Sequence, residues 1–311
     1  MAASAVPMTT AVPDDEVFSK VTFWTRLRRH KLALAGLIVL ALMVLAAALA
    51  GQLAPFDPNA IDNVHWQGQP LPPCFQGAAD CGGHALGTDE VGRDLLSRLL
   101  FGARISLTVG LFAVIMEVLI GATLGAIAGY YGRWVDYALM RLTDVFLSIP
   151  LLPLLLVLTA IVAASSSKAA LSFGVIVIII GALSWPPVAR LVRASFLSLR
   201  EREFAEAARA LGNNDGRIIF RHLLPNAIAP IVVQATLDVA NVIILESTLS
   251  FLGLGIQPPT ASWGNMLANA QSNLQTAWWA AVFPGLCILI TVLAINYIGD
   301  GLRDALDPNM R

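Results

Sequence analysis

Charge is scarce in this sequence. Asp, Glu, Lys and Arg together make 13% of its 311 residues, against about a quarter in a soluble domain of similar length. That deficit excludes an ordinary water-soluble fold. Lysine is scarcer still, at Lys20, Lys31 and Lys168 alone, and none lies in a G-x-x-x-x-G-K-[ST] run. Without that phosphate-cradling loop, any ATP hydrolysis must occur on another chain. H-E-x-x-H, G-x-S-x-G and paired-cysteine metal motifs are missing too, so neither a catalytic role nor a resident metal or cofactor is expected. Nucleic acid is not expected as a partner. Cysteine is limited to Cys74, Cys81 and Cys287.

What the chain has instead is apolar length. Hydrophobic residues make 57% of it, gathered into runs long enough for a bilayer's hydrocarbon core. The pattern predicts an all-α integral membrane protein with six spans. These are Leu32–Ala50 and, roughly, Ile105–Tyr131, Tyr137–Ala164, Ala169–Ala189, Ala227–Phe251 and Ala277–Gly299. Pro150 and Pro153 inside the third do not argue against helix, because membrane helices tolerate proline where neighbours satisfy the backbone. The first run follows Arg26, Arg28, Arg29 and Lys31, so a secretory signal peptide competes with a span there. Signal cores run about 7–15 residues and lie nearer the N-terminus, so an uncleaved span is expected. Residues 1–20 show no apolar period and are expected to be disordered.

Lys and Arg positions set the orientation. With the N-terminus inside, all 20 except Arg93, Arg98, Arg104 and Lys168 fall on the cytoplasmic side, which predicts cytoplasmic termini. The chain then divides into a tail (1–20), a first span with its basic flank (21–50), an extracytoplasmic loop (51–104), a five-helix core (105–300) and a cytoplasmic tail (301–311). In the second span Gly121, Gly125 and Gly129 repeat every four residues, which leaves one helix face flat enough for close packing by another helix.

The loop 51–104 holds Cys74 and Cys81, and an oxidising exterior favours a bridge between them over two free thiols. Metal binding is less favoured, since His84 is near but no fourth ligand follows at a known spacing. Farther on, in LGTDEVGRDLLSRLLFGAR (Leu86–Arg104), Thr88 or Asp89 is placed to cap a helix whose Leu95, Leu96, Leu99 and Leu100 form one face. Asp89 with Arg93, and Asp94 with Arg98, stand at i,i+4. An interfacial helix is expected there.

The loop 200–225 is the most informative stretch. Phe204, Ala207, Ala208 and Leu211 fall at i, i+3, i+4 and i+7 on one helical face, with Arg202, Glu206 and Arg209 toward the other side. Gly212 ends that helix by adopting positive φ. Asn213, Asn214 or Asp215 then caps a second short helix reaching His222, and Pro225 opens the fifth span as a first-turn proline. The result is an elbow between spans four and five. Its alanine-rich face offers little area to bury in lipid headgroups, and suits close approach to a groove on a protein partner instead.

Four ionisable side chains fall inside spans: Glu117, Asp144, Asp238 and Glu246. Each carboxylate costs ~2.5–3.5 kcal/mol near the bilayer centre by insertion scales, so each needs a partner or a wet path. For Asp144 the expected partner is Arg141. For Glu117, Asp238 and Glu246, helix-to-helix bonding and lining of a solute route stand level.

Glu206-Ala207-Ala208, three residues, Gly212, nine residues, then a position before x-Leu224-Pro225 resembles the EAA loop of ABC importer permeases. The family carries isoleucine where this chain has His222, but the run RHLLPN resembles the peptide/nickel branch, where that departure is usual. LGTDEVGRDLLSRLLFGAR, ESTLSFLGLGIQPPTASWG (246–264) and GDGLRDALDP (299–308) resemble the second permease subunit of dipeptide and oligopeptide importers, the DppC/OppC type, and the likeness runs over residues 20–311. The resemblance implies a bacterial inner-membrane permease subunit forming half of a solute pathway. Its partners would be a paralogous DppB/OppB-type permease, one or two cytoplasmic subunits carrying ATP and Mg, an extracytoplasmic peptide-binding protein and membrane lipid. A proton-coupled secondary transporter using the buried carboxylates is the alternative. It predicts inverted repeats, none of which is evident, and leaves the elbow without a task.

Overall fold

A computed structural model describes residues 30–76, 81–165 and 172–306. The tail 1–20, Arg26, Arg28, Arg29, Lys168 and Arg311 lie outside them. The regular structure among the described residues is helical, apart from two isolated β-bridges, Ile61 to Arg93 and Thr88 to Asp94. Helix α1 is Lys31–Ala48, α2 Leu95–Tyr131, α3 Arg133–Ser148, α4 Leu151–Ser165, α5 Phe173–Ser184, α6 Pro186–Leu199, α7 Glu203–Ala210, α8 Leu224–Phe251, α9 Trp263–Asn269 and α10 Trp278–Leu306.

Among the described residues, four helices are long and apolar enough to cross a bilayer: α1, α2, the continuous run Asp215–Phe251 that contains α8, and α10. The expected third and fourth spans are each broken. α3 and α4 meet at 82°, and α5 and α6 at 44°. Prolines cause both breaks, because Pro150, Pro186 and Pro187 cannot donate to the preceding turn and clash with it. Counting each bent pair as one span brings the total to six.

The seam between α2 and α6 explains the glycine repeat. A Cβ on Gly121, Gly125 or Gly129 would lie 2.8 Å from the Trp185 carbonyl oxygen, 2.4 Å from that of Ala189 and 2.8 Å from that of Arg193. The ladder therefore lets two backbones touch, and the fully buried Val188, Val192 and Phe196 fill the flanks. Beside the seam, the chain reverses between α2 and α3 through Gly132 and Arg133, both at positive φ.

The segment 51–94 departs from expectation. There is no separate interfacial helix and neither Thr88 nor Asp89 is a cap. Leu95, Leu96, Leu99 and Leu100 belong to the first turns of α2, capped by Asp94 through a 2.7 Å bond from Ser97 N–H. The residues before Asp94 fold as a knot in which the expected Asp89–Arg93 pair forms, though not on a helix. The Asp89 carboxylate accepts from Arg93 Nε at 2.7 Å and stands 3.2 Å from buried Arg98 Nε. His84 places Nδ1 2.9 Å from Asp94 and Nε2 3.1 Å from Asp62. Two buried acids thus compete more strongly for Arg98 and His84 than a helical i,i+4 geometry does, and Asp94 never pairs with Arg98. Cys74 and Cys81 form a disulfide with Cα atoms 5.1 Å apart. Trp279 Nε1 of α10 donates to the Thr88 carbonyl at 3.2 Å, fastening the knot to the bundle.

His30, whose ring caps α1, stands 3.7 Å from Asp304 near the end of α10. Arg104 near the start of α2 donates to the carbonyls of Ala47 and Ala48 at the end of α1. The start of α1, the end of α2 and the end of α10 therefore share one side of the bundle.

Candidate functional site

On that side sits the elbow. α7 carries Glu203 and Glu206 in its first turn and Arg209 in its last, each sign complementing the helix dipole. Gly212 at φ 76° closes it. Gly212 N–H donates to the Arg209 carbonyl at 2.9 Å and Asn213 N–H to that of Ala208 at 3.2 Å, the paired bonds of a Schellman motif. Asn214 then caps the next turn, its side chain accepting from Arg217 N–H at 2.9 Å. The second arm is not a separate short helix. It passes through a π turn at Ile218–Leu223 into α8, with Pro225 in the first turn.

Of the face expected to meet a partner, Phe204, Ala207 and Leu211 are exposed and Ala208 alone is buried. Ala205 and Ala208 face inward, against Val188, Val192, Phe196, Ile218 and Leu223. Phe204, Ala207 and Leu211 face out, Leu211 with 83% of its surface exposed, and Phe220 on the second arm is 69% exposed. A helix this rich in alanine satisfies the same apolar spacing on two faces, and tertiary packing selects between them. The outward stripe has no partner within the described residues of this chain.

The elbow is tied to the bundle by named bonds. Tyr130 at the end of α2 donates its hydroxyl to Asp215 at 2.7 Å. Arg209 donates to the Arg200 carbonyl at 2.9 Å, and Arg200 in turn donates to the Gly129 carbonyl at 3.0 Å. Arg193 of α6 pairs with Asp136 of α3. Asp144 stands 3.9 Å from the expected Arg141 but is met more closely by Arg190 of α6, a partner 46 residues away that local spacing does not reveal. Arg202 and Glu206 are exposed, with Glu206 lining a polar hollow beside Tyr130, Tyr131 and Arg209.

The other three carboxylates of the spans separate into two groups. Glu246 is fully buried among hydroxyls, accepting from Ser250 Oγ at 2.7 Å and from Ser106 Oγ at 3.4 Å. Ser106 Oγ also accepts from Trp263 N–H at 3.2 Å. Glu246 thus knots α2, α8 and the start of α9. Glu117 of α2 and Asp238 of α8 come together instead on a cavity of about 500 Å³. Asp238 accepts from the Gln234 amide at 3.0 Å and from Asn241 at 3.4 Å. Ser184, Asn241 and the proline breaks Pro150, Pro186 and Pro187 complete the wall. Sequence reasoning missed Ser184 and Asn241, and the Pro186-Pro187 pair was the signal available for the fourth-span break.

Comparison with known proteins identifies the frame. Residues 121–311 match the family described as binding-protein-dependent transport system inner membrane component, and residues 21–73 match the N-terminal TM domain of oligopeptide transport permease C. The dipeptide transport system permease protein DppC of Alkalihalophilus pseudofirmus is 40% identical over 98% of this chain and 96% of its own. The glutathione transport system permease protein GsiD of Pectobacterium atrosepticum is 42% identical over 93% of this chain and 91% of its own. The fold resembles an inward-facing structure of the MetNI methionine ABC transporter, with a TM-score of 0.56 at 18% identity, covering 68% of this chain and 98% of that one. The match over 121–311 and the near full-length likeness to permease subunits place this chain in the binding-protein-dependent transport system inner membrane component family, as a permease subunit and not an enzyme.

Proposed function

We propose that the chain forms half of the membrane pathway of a peptide importer and is driven through the elbow by a separate ATP-binding subunit. The remaining partners are a paralogous permease and an extracytoplasmic binding protein. Six spans carry it through the bilayer, each bent pair counting as one. Both termini and the elbow face the cytoplasm, and the disulfide-closed segment 51–94 faces outward. The Lys and Arg bias supports that orientation, as does the shared side of the start of α1, the end of α10 and the elbow. Peptide cargo is supported by the near full-length likeness to a dipeptide permease.

One observation carries the reading. Phe204, Ala207, Leu211 and Phe220 leave an apolar stripe open on an elbow whose other face is locked to α2, α6 and α8. A surface of that kind is costly to leave in water and matches helix-in-groove docking on a protein. Force applied there passes through Ala205 and Ala208 to α6, and through the glycine seam to α2. Leu211→Asp is expected to reduce co-purification of the ATP-binding subunits about tenfold or more, since it places a charge in a desolvated contact, while the permease still inserts. Unchanged co-purification together with unchanged uptake sinks the docking assignment. A proton-driven carrier would instead show uptake without any ATP-binding subunit.

A further inference from the structure

The cavity beside Glu117 and Asp238 lies where both helix breaks converge. Residues 149–151 bring the α3–α4 break to it, and residues 184–187 bring the α5–α6 break. Broken helices at bilayer depth are stable where their freed backbone lines a cavity. Of the lining side chains, Glu117 and Asp238 alone are ionisable, and both are acids. Asp238 has amide donors. Glu117, only 2% exposed, leaves Oε2 without a hydrogen-bond donor, and Ser184, 8% exposed, leaves its Oγ without a partner in the same cavity. The two carboxyls also stand within hydrogen-bond reach of each other, so the site gathers acceptors with no cationic side chain on its lining, an arrangement that burial makes costly.

We infer that this cavity is a subsite for a primary ammonium group, of the kind carried by the amino end of a peptide in transit. An ammonium offers three N–H donors and one positive charge. Glu117 Oε2, the Asp238 carboxylate and Ser184 Oγ supply three acceptors to one cavity, and aliphatic side chains and prolines make up most of the remaining lining. A metal ion suits the site less well. Two carboxylates are too few protein ligands for a dedicated cage, and no group of three or more His, Cys, Asp or Glu side chains gathers among the described residues. Glu246 takes no part, because its hydroxyl donors already satisfy it. The subsite rests on the importer reading for its cargo but not for its chemistry.

The test separates those two. In the detergent-solubilised assembled complex, modification of Glu117 by a hydrophobic carbodiimide is followed by peptide mass spectrometry. Propylammonium is expected to protect Glu117, and tetramethylammonium, which has no N–H donor, is not. Protection is expected to weaken about tenfold to a hundredfold in Asp238→Asn, the loss of one charge-assisted bond. Equal protection by both amines, protection by sodium or magnesium instead, or no protection at all overturns the subsite. Uptake of dialanine into proteoliposomes is the second arm, with assembly checked by co-purification of the ATP-binding subunits. Wild-type uptake that falls about tenfold or more in Glu117→Gln supports the subsite, and undiminished uptake overturns it. A wild-type complex that takes up no peptide sinks the importer reading alone, and the labelling result still decides the subsite.

Discussion

Replacing Gly125 by alanine tests the seam between α2 and α6 with one methyl group. The added Cβ would sit 2.4 Å from the Ala189 carbonyl oxygen, 2.9 Å from Val192 Cβ and 3.1 Å from the Ala189 carbonyl carbon. Two of those three atoms are backbone, so no rotamer change relieves the clash. α6 must move by about 0.5–1 Å, and a gap of that size forfeits a quarter to a half of each dispersion contact along the seam. Overpacking of this kind costs about 1–3 kcal/mol, offset by up to ~1 kcal/mol of helix propensity gained over glycine. The control is Gly285→Ala in α10, where nothing lies within 4 Å of the new methyl. That variant keeps the propensity gain without the clash. Thermal unfolding in detergent is expected to place Gly125→Ala several degrees below wild type, at about 2–4 °C per kcal/mol, and Gly285→Ala at or above it. Equal melting of the two alanine variants would refute the seam.

Other expectations follow from the same contacts. Cys74→Ser opens a loop with a sequence separation of seven and should weaken segment 51–94 by about 2–3 kcal/mol. Faster proteolysis of that segment in the variant or in reductant checks it, and equal rates count against it. Burial works to raise the pKa of Asp62, but bonds from the His65 and Val64 backbone and from the rings of His65 and His84 outweigh it and hold the carboxyl well below its usual range. Its folded pKa is thus below the unfolded value of about 3.9. The stabilisation is complete above that value and is lost as pH falls through it toward the folded pKa. Protection from hydrogen exchange in segment 51–94, corrected for the intrinsic exchange rate, should therefore fall as pH drops from about 4 toward the folded pKa, and Asp62→Asn should flatten that dependence. Glu246→Ala removes the acceptor shared by Ser250 and Ser106, and should destabilise the fold by about 2 kcal/mol or more. If its melting is unchanged while uptake fails, Glu246 belongs to the pathway rather than to the knot.

Local features were the legible ones. Gly212 declared its positive φ because only glycine adopts that region freely, and the glycine repeat declared a close packing face. The cysteine pair declared its bridge through sequence proximity. Features decided by distant partners were hidden. Asp144 meets Arg190, and Asp89, besides its expected Arg93, also meets Arg98 through a fold that no helical spacing describes. Which alanines of α7 turn inward was not legible, because alanines occupy both faces and packing alone selects Ala205 and Ala208. Hydropathy reports apolar length but not direction, so the bends at Pro150 and Pro186 vanished into continuous runs. Glu117 and Asp238 were visible as costly charges, yet only the fold brings residues 121 positions apart onto one cavity while leaving Glu246 elsewhere.

The most direct test of the coupling claim is ATP-driven peptide uptake by proteoliposomes holding the assembled complex, comparing wild type with Gly212→Pro. Proline cannot adopt φ 76° and lacks the N–H that bonds Arg209, so the end of α7 must unravel. Normal insertion, weakened association of the ATP-binding subunits and uptake reduced to background are expected. Uptake at the wild-type rate with the elbow broken, or uptake with no ATP-binding subunit present, would contradict the coupling claim.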